Sequence, residues 1–207
     1  MLPLLPSLLL LSATLTQTTA LPSPKLHLTA LTTQGRGCPT NTSLSVTISP
    51  DSTAITLTYD PPLTLSLGPT TTPADRSKSC IALLTLCHPS TERFSLSSTT
   101  YRGTAALDAG VTATLRTLYS DAGTGSGASS SSVVAGPLAG TYVRESGAQG
   151  AGDRLWTSWP RREETVVRVD TTAGVTAATT AGAGGSVWGE AVFALEGQVV
   201  GVVWVEG

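Results

Sequence analysis

The feature that most constrains this chain is a period-two alternation of apolar and polar residues, cut into short runs by glycine and proline. The clearest run lies in 101–119. Val111, Ala113, Leu115 and Tyr119 fall on one side, with Thr112, Thr114, Arg116 and Leu118 on the other. Successive side chains of a strand point to opposite faces, so this run describes a half-buried strand. It is entered through Tyr101, an expected turn at Arg102-Gly103 and a second break at Leu107-Asp108-Ala109-Gly110. No segment sustains a helical period.

The rest of the chain follows the same pattern. Leu44–Ile48 and Ile55–Tyr59 alternate on either side of Pro50-Asp51-Ser52, so 43–59 reads as a hairpin that Asp60-Pro61-Pro62 stops. A polar loop over 69–78 precedes Cys80–Cys87, a dense apolar run expected to be a central buried strand. Another strand begins at Phe94 and Leu96, and 133–143 reads as two short strands about Gly136-Pro137. Thr165–Asp170 is rich in β-branched residues. Val187–Leu195 and Val199–Val205 read as a terminal hairpin about Glu196-Gly197-Gln198. Asp121–Ser132 and Ala173–Gly185 have the composition of flexible loops. Many short strands between turn signals predict an all-β fold, an antiparallel β-sandwich of jelly-roll kind with long Gly/Ser/Thr loops.

The ends define an address. Leu2–Leu11 is apolar, a polar Thr/Gln stretch follows, and Thr18-Thr19-Ala20 offers small residues to a signal peptidase. Residues 1–20 are therefore read as a signal peptide, although no Lys or Arg precedes the apolar run. Residues 21–34 form an extended Pro/Thr-rich lead-in, and 35–207 a single domain. The apolar run is shorter than the ~20 residues of a membrane span. The C-terminal run Val199–Val205 is short and ends at Glu206, unlike a lipid-anchor signal. The expected location is secreted and extracellular, with no membrane partner once the signal is removed. Charged residues make up 13% of the chain, about half the usual share. Lys25 and Lys78 are far apart, so the clustered cations that nucleic acid requires are missing.

Gly35-Arg36-Gly37-Cys38-Pro39, Lys78-Ser79-Cys80, Tyr101-Arg102-Gly103, Leu107 to Ala113 and Gly136-Pro137 with Gly140-Thr141-Tyr142 occur in this order. Together they resemble the fungal secreted proteins grouped as domain of unknown function 4360, most clearly over 35–142. The resemblance implies a small secreted β-rich protein with disulfides and implies no activity. It also implies a bridge between Cys38 and Cys80. Such proteins look to carry a second bridge, from the tryptophan region to the C-terminus. Neither Trp159-Pro160-Arg161 nor Trp204–Gly207 contains a cysteine here, as loss of a pair would leave.

Three cysteines in an oxidising compartment leave one bridge and one free thiol. Cys80 and Cys87 lie seven positions apart and would face opposite ways on one strand, so Cys38 suits one of them, with Cys38–Cys87 as the alternative pairing. Asn41-Thr42-Ser43 is an acceptor sequon and Asn41 is the only asparagine, a candidate glycosylation site.

Candidate chemistry is sparse. A Ser-His-Asp triad would need His27 or His88, and no G-x-S-x-G elbow exists, so His88 reads as a partly exposed turn residue. Ligand spacings for zinc or calcium are missing from the sequence, and no cofactor or metal is expected. A glycosidase asks only for two carboxylates across a groove, and Asp108, Glu92, Glu190 and Glu196 are the candidates. Asp108 has a simpler role, capping its own turn. A sugar platform would use Trp156 or Trp159, while Trp188 and Trp204 read as packed. Arg161, Arg162, Glu163 and Glu164 form a charged strand entry. The expectation is a non-catalytic surface, cell-wall or interaction module whose partner is a cell-wall glycan or an extracellular protein. The alternative is a carboxylate-dependent, polysaccharide-acting enzyme.

Overall fold

The computed structural model describes residues 25–123, 125–147, 155–157, 164–178 and 189–206. In chain order the strands are β1 (His27–Gln34), β2 (Leu44–Ile48), β3 (Ala54–Leu67), β4 (Ser77–Cys87), β5 (Glu92–Leu107), β6 (Val111–Asp121), β7 (Gly127–Ala135), β8 (Leu138–Gly147), β9 (Leu155–Trp156), β10 (Glu164–Ala177) and β11 (Ala191–Glu206). One helical turn, α1 (Pro73–Arg76), interrupts the loop before β4. The expected signal peptide lies outside the described residues.

Two antiparallel sheets form the sandwich. One has the order β1-β4-β10-β6-β7 and the other β2-β3-β11-β5-β8, with β9 paired to β5. The chain folds as a long two-stranded ribbon: β3 pairs with β11, β4 with β10, β5 with β8, and β6 with β7. That ribbon winds so that β3, β5, β8 and β11 fall in one sheet and β4, β6, β7 and β10 in the other. This is the jelly-roll winding of two Greek keys. β1 and β2 extend one side of the barrel-like wrap. The segment expected as an extended lead-in is therefore partly sheet, since β1 pairs with β4 over His27–Gln34.

Alternation accounts for the core. On β6 the inward set Val111, Ala113, Leu115 and Tyr119 is buried and packs with Leu84, Leu86, Phe94, Tyr101 and Phe193 from both sheets. Burying such side chains is worth about 1.5–3 kcal/mol each. The break at Leu107–Gly110 is where the chain leaves one sheet for the other. Gly110 supplies φ +80° there, and the Val111 amide donates to the Asp108 carbonyl at 3.1 Å.

Several expectations are corrected. Arg102-Gly103 is not a turn, because β5 runs unbroken from Glu92 to Leu107. Gly103 lies inside that strand, where the Tyr142 side chain crosses its missing Cβ. Asp60-Pro61-Pro62 bends β3 without ending it. The residues between Thr58 and Leu63 bulge out, and β2 reaches only to Tyr59, so the prolines meet no ladder on that side. The terminal hairpin is one continuous strand, β11, with Glu196 bulged between β3 and β5. Gln198 is fully buried there, which a hairpin tip would not allow. Residues 127–132, expected as loop, belong to strand β7 together with the strand expected from Val133, and β10 extends to Ala177.

Candidate functional site

Four strand ends meet at one end of the second sheet and leave an open groove of 640 Å³. Its floor is apolar, with Leu107, Pro137, Ala139 and Val192 among its lining, and Asp108 and Glu190 stand on it as the two carboxylates. None of the described residues that line it is aromatic. Val192 is 54% exposed, which makes this one of the more accessible apolar surfaces of the sandwich. Val192 carries no sequence signal of its own, because it gains its place only when β11 flanks β5, and Pro137 is marked in the sequence only as part of a turn.

Asp108 is fastened to the chain beside it. Its carboxylate Oδ2 accepts the Glu190 amide at 2.8 Å, and its own amide donates to the Glu190 carbonyl at 3.1 Å. The side chain thus braces the entry to β11, while the turn at 108–111 is closed by backbone alone. A carboxylate has further acceptor capacity beyond one N–H. The rim can therefore still accept hydrogen bonds from hydroxyl or ammonium groups.

The other two candidate carboxylates are elsewhere. Both Glu92 oxygens accept from Lys25 Nζ, at 2.9 and 2.8 Å. Glu196 stands exposed on the β11 bulge. Of the four candidates, only Asp108 and Glu190 line this groove.

His88 is corrected from partly exposed to buried, at 3% exposure. Its ring packs edge-on to Phe94 at 5.3 Å, with Trp204 at 6.5 Å, and among the described residues neither a serine nor a carboxylate stands within hydrogen-bond reach. Trp204 is held by its indole N–H, which donates to the Ser52 carbonyl at 2.8 Å. The Arg93 guanidinium lies 4.9 Å from the Trp156 ring centre, so that ring is covered by a cation. Trp159, Trp188 and Arg161 to Glu163 lie outside the described residues. His27 is exposed at the start of β1 and sits opposite Cys87 in register.

Cys38 and Cys80 are bonded, and both are buried. Cys87 is free and half-buried, on the other face of β4 from Cys80. Asn41 is exposed on a single 3-10 turn between β1 and β2. Among the described residues, no cluster of three or more His, Cys, Asp or Glu side chains could hold a metal ion. No helix among them is long and apolar enough to cross a membrane.

Comparison with known proteins places the chain beside an uncharacterized secreted protein of Arthroderma benhamiae, 32% identical over 123 residues. That match covers 59% of this chain and 49% of the relative, so the chain spans about half the length of the relative it matches. Among solved structures, a TmCBM61 complex with β-1,4-galactotriose aligns over 83% of this chain and 88% of its own, at 11% identity and a TM-score of 0.28. The enzymatically active domain of a bacteriophage CBA120 tailspike protein aligns over 86% of this chain and 20% of its own, at 13% identity and a TM-score of 0.22. Both scores are too low to carry ligand or activity across. A family model, by contrast, matches residues 24–205, and the chain belongs to that family, described as Domain of unknown function (DUF4360).

Proposed function

We propose that this protein works outside the cell as a non-catalytic interaction module, with the groove between Asp108, Pro137 and Val192 as its docking surface for a cell-wall glycan. The single observation that carries this reading is the Asp108–Glu190 brace. The Asp108 carboxylate is fixed in place by a backbone N–H and keeps the capacity to accept further hydrogen bonds, which is what a rigid docking rim requires. The apolar floor suits the C–H faces of sugar rings, and the rim suits their hydroxyls. The secreted relative supports an extracellular place of work.

A second reading has one observation in its favour. Asp108 and Glu190 line a common groove, which is the minimum a carboxylate-dependent glycosidase needs. Both readings meet in one experiment. The protein is incubated with insoluble wall polysaccharides, and both retention and reducing-sugar release are measured for wild type, Asp108→Asn and Glu190→Gln. Asn retains an acceptor for the Glu190 amide, so the fold persists while the charge is lost. Retention without release, weakened severalfold by the substitutions, supports the module. Release abolished by Asp108→Asn, with the circular dichroism unchanged, would replace it with the hydrolase. Absence of retention on every polysaccharide removes the glycan from the proposal.

A further inference from the structure

We propose that Asn41 is N-glycosylated, and that the sugar is attached before the turn over residues 41–43 closes against β1. Two features of the folded turn point in opposite directions, and together they fix the order of events.

The first is the orientation of the Asn41 amide. Its Oδ1 accepts the Thr33 backbone N–H at 2.8 Å and lies 3.2 Å from the Thr33 hydroxyl, whose one proton is shared with the Thr40 carbonyl. A backbone N–H can only donate, so the oxygen is the inward atom. Nδ2 is left facing away from Thr33, with no hydrogen bond among the described residues, on an exposed side chain. An N-linked sugar is borne on Nδ2 and leaves Oδ1 free to accept. The finished fold accommodates the modification without losing either contact.

The second is the burial of Ser43, the hydroxyl residue that the acceptor sequence requires. Ser43 is 5% exposed, and its hydroxyl is bonded to that of Thr40 at 2.8 Å. Thr33 Oγ1 donates to the Thr40 carbonyl at 2.8 Å, which ties the turn to β1. Cys38, three residues before Asn41, is fully buried and bridged to Cys80. An enzyme that must reach Asn41 and Ser43 together finds only the first accessible once these contacts exist.

The transfer is a substitution at an activated sugar. Asn41 Nδ2 bonds to C1 of a lipid-linked oligosaccharide diphosphate, and the bond from C1 to the phosphate oxygen breaks. The electron pair leaves with the lipid diphosphate, and one amide proton is released.

The test begins with the full chain secreted from a eukaryotic host and mapped by glycopeptide mass spectrometry. Asn41 should carry a glycan, removed by an amidase that leaves Asp. Asn41→Asp keeps an acceptor for Thr33 and should be secreted without the added mass. A second arm uses bare chain made in bacteria and oxidised in the periplasm. Offered to an oligosaccharyltransferase with its lipid-linked donor, the folded form should be at least tenfold poorer as acceptor than the same chain reduced and carboxymethylated. A secreted wild-type chain with Asn41 bare overturns the site. Equal transfer to folded and reduced chains overturns the order.

Discussion

Tyr101 on β5 donates its hydroxyl to that of Thr117 on β6, 2.9 Å away, and so joins the two sheets through the middle of the core. The contact belongs to a buried chain of polar groups. Tyr101 also meets Ser130 Oγ at 3.0 Å, Ser130 donates to Thr99 at 2.8 Å, and Thr99 is bonded to Tyr119. On the other side Thr117 donates to Gln198 Oε1 at 3.2 Å, and Gln198 Nε2 donates to Thr171 at 2.9 Å. Buried polar groups cost little when each is satisfied and much when one partner is removed.

Thr117→Val is accordingly expected to cost more than Tyr101→Phe. Valine has the same shape but strips a partner from both Tyr101 and Gln198, for about 2–3 kcal/mol. Removing the Tyr101 hydroxyl leaves Ser130 bonded to Thr99 and Thr117 bonded to Gln198, for about 1 kcal/mol. Urea unfolding midpoints rank the two. The reverse order would mean that the polar chain does not act as one connected unit.

Alkaline pH should unfold the protein. All four tyrosines, Tyr59, Tyr101, Tyr119 and Tyr142, have hydroxyls held above the ordinary value of 10.0, first of all by burial away from water. A group whose folded pKa is raised keeps its proton in the native state after the unfolded chain has released it. The unfolded state then binds fewer protons, and stability falls as pH rises past about 10. Tyrosinate absorbance in the near ultraviolet should therefore appear cooperatively, together with loss of the β-sheet circular dichroism. Gradual ionisation of a still-folded protein would contradict this.

These buried hydroxyls also explain what could and could not be seen in the sequence. The β2–β3 hairpin, the buried β4 and the alternating β6 were legible because their inward residues are apolar, and periodicity detects apolar faces. β7 was not, because its inward positions include Ser130, a residue type that composition assigns to loops. Ser130 is at home in the core only because Tyr101 and Thr99, about 30 positions away, supply its partners. β11 was misread as a hairpin for the same reason. Glu196-Gly197-Gln198 has turn composition, yet Gln198 is satisfied by Thr117 and Thr171 from the opposite sheet. The groove was half legible. Asp108 stood out beside its glycine, whereas Glu190 reaches it only through the pairing of β5 with β11.

Gly103→Ala should destabilise the sandwich by about 2 kcal/mol or more, as overpacked cores do. A Cβ there would sit 2.0 Å from the Ala194 carbonyl oxygen and 2.9 Å from the Tyr142 hydroxyl. That hydroxyl donates to the same carbonyl at 3.1 Å, and the Tyr142 ring stacks on Phe193 at 4.9 Å. Adding Tyr142→Phe frees one of the two obstructions but leaves the backbone carbonyl. The double variant should therefore be no more stable than Gly103→Ala alone. Full rescue in thermal melts would show that the side chain, rather than the neighbouring strand, is the barrier.

The bridge and the free thiol should separate cleanly in unfolding experiments. Cys38 and Cys80 are 42 positions apart, and closing such a loop is worth about 4 kcal/mol through the entropy it removes from the unfolded chain. The paired Cys38→Ser and Cys80→Ser substitutions should lower the unfolding free energy by about 4 kcal/mol, lower the midpoint and raise the denaturant slope, because the released chain exposes more surface when unfolded. Cys87→Ser should shift stability by less than about 1 kcal/mol, since its thiol is half-buried and makes no bridge. Alkylation of the denatured, unreduced protein should label Cys87 alone. If removing the bridge left the slope unchanged and instead accelerated unfolding by the whole loss, its contribution would reside in the native packing around Cys38 rather than in the tethered unfolded chain.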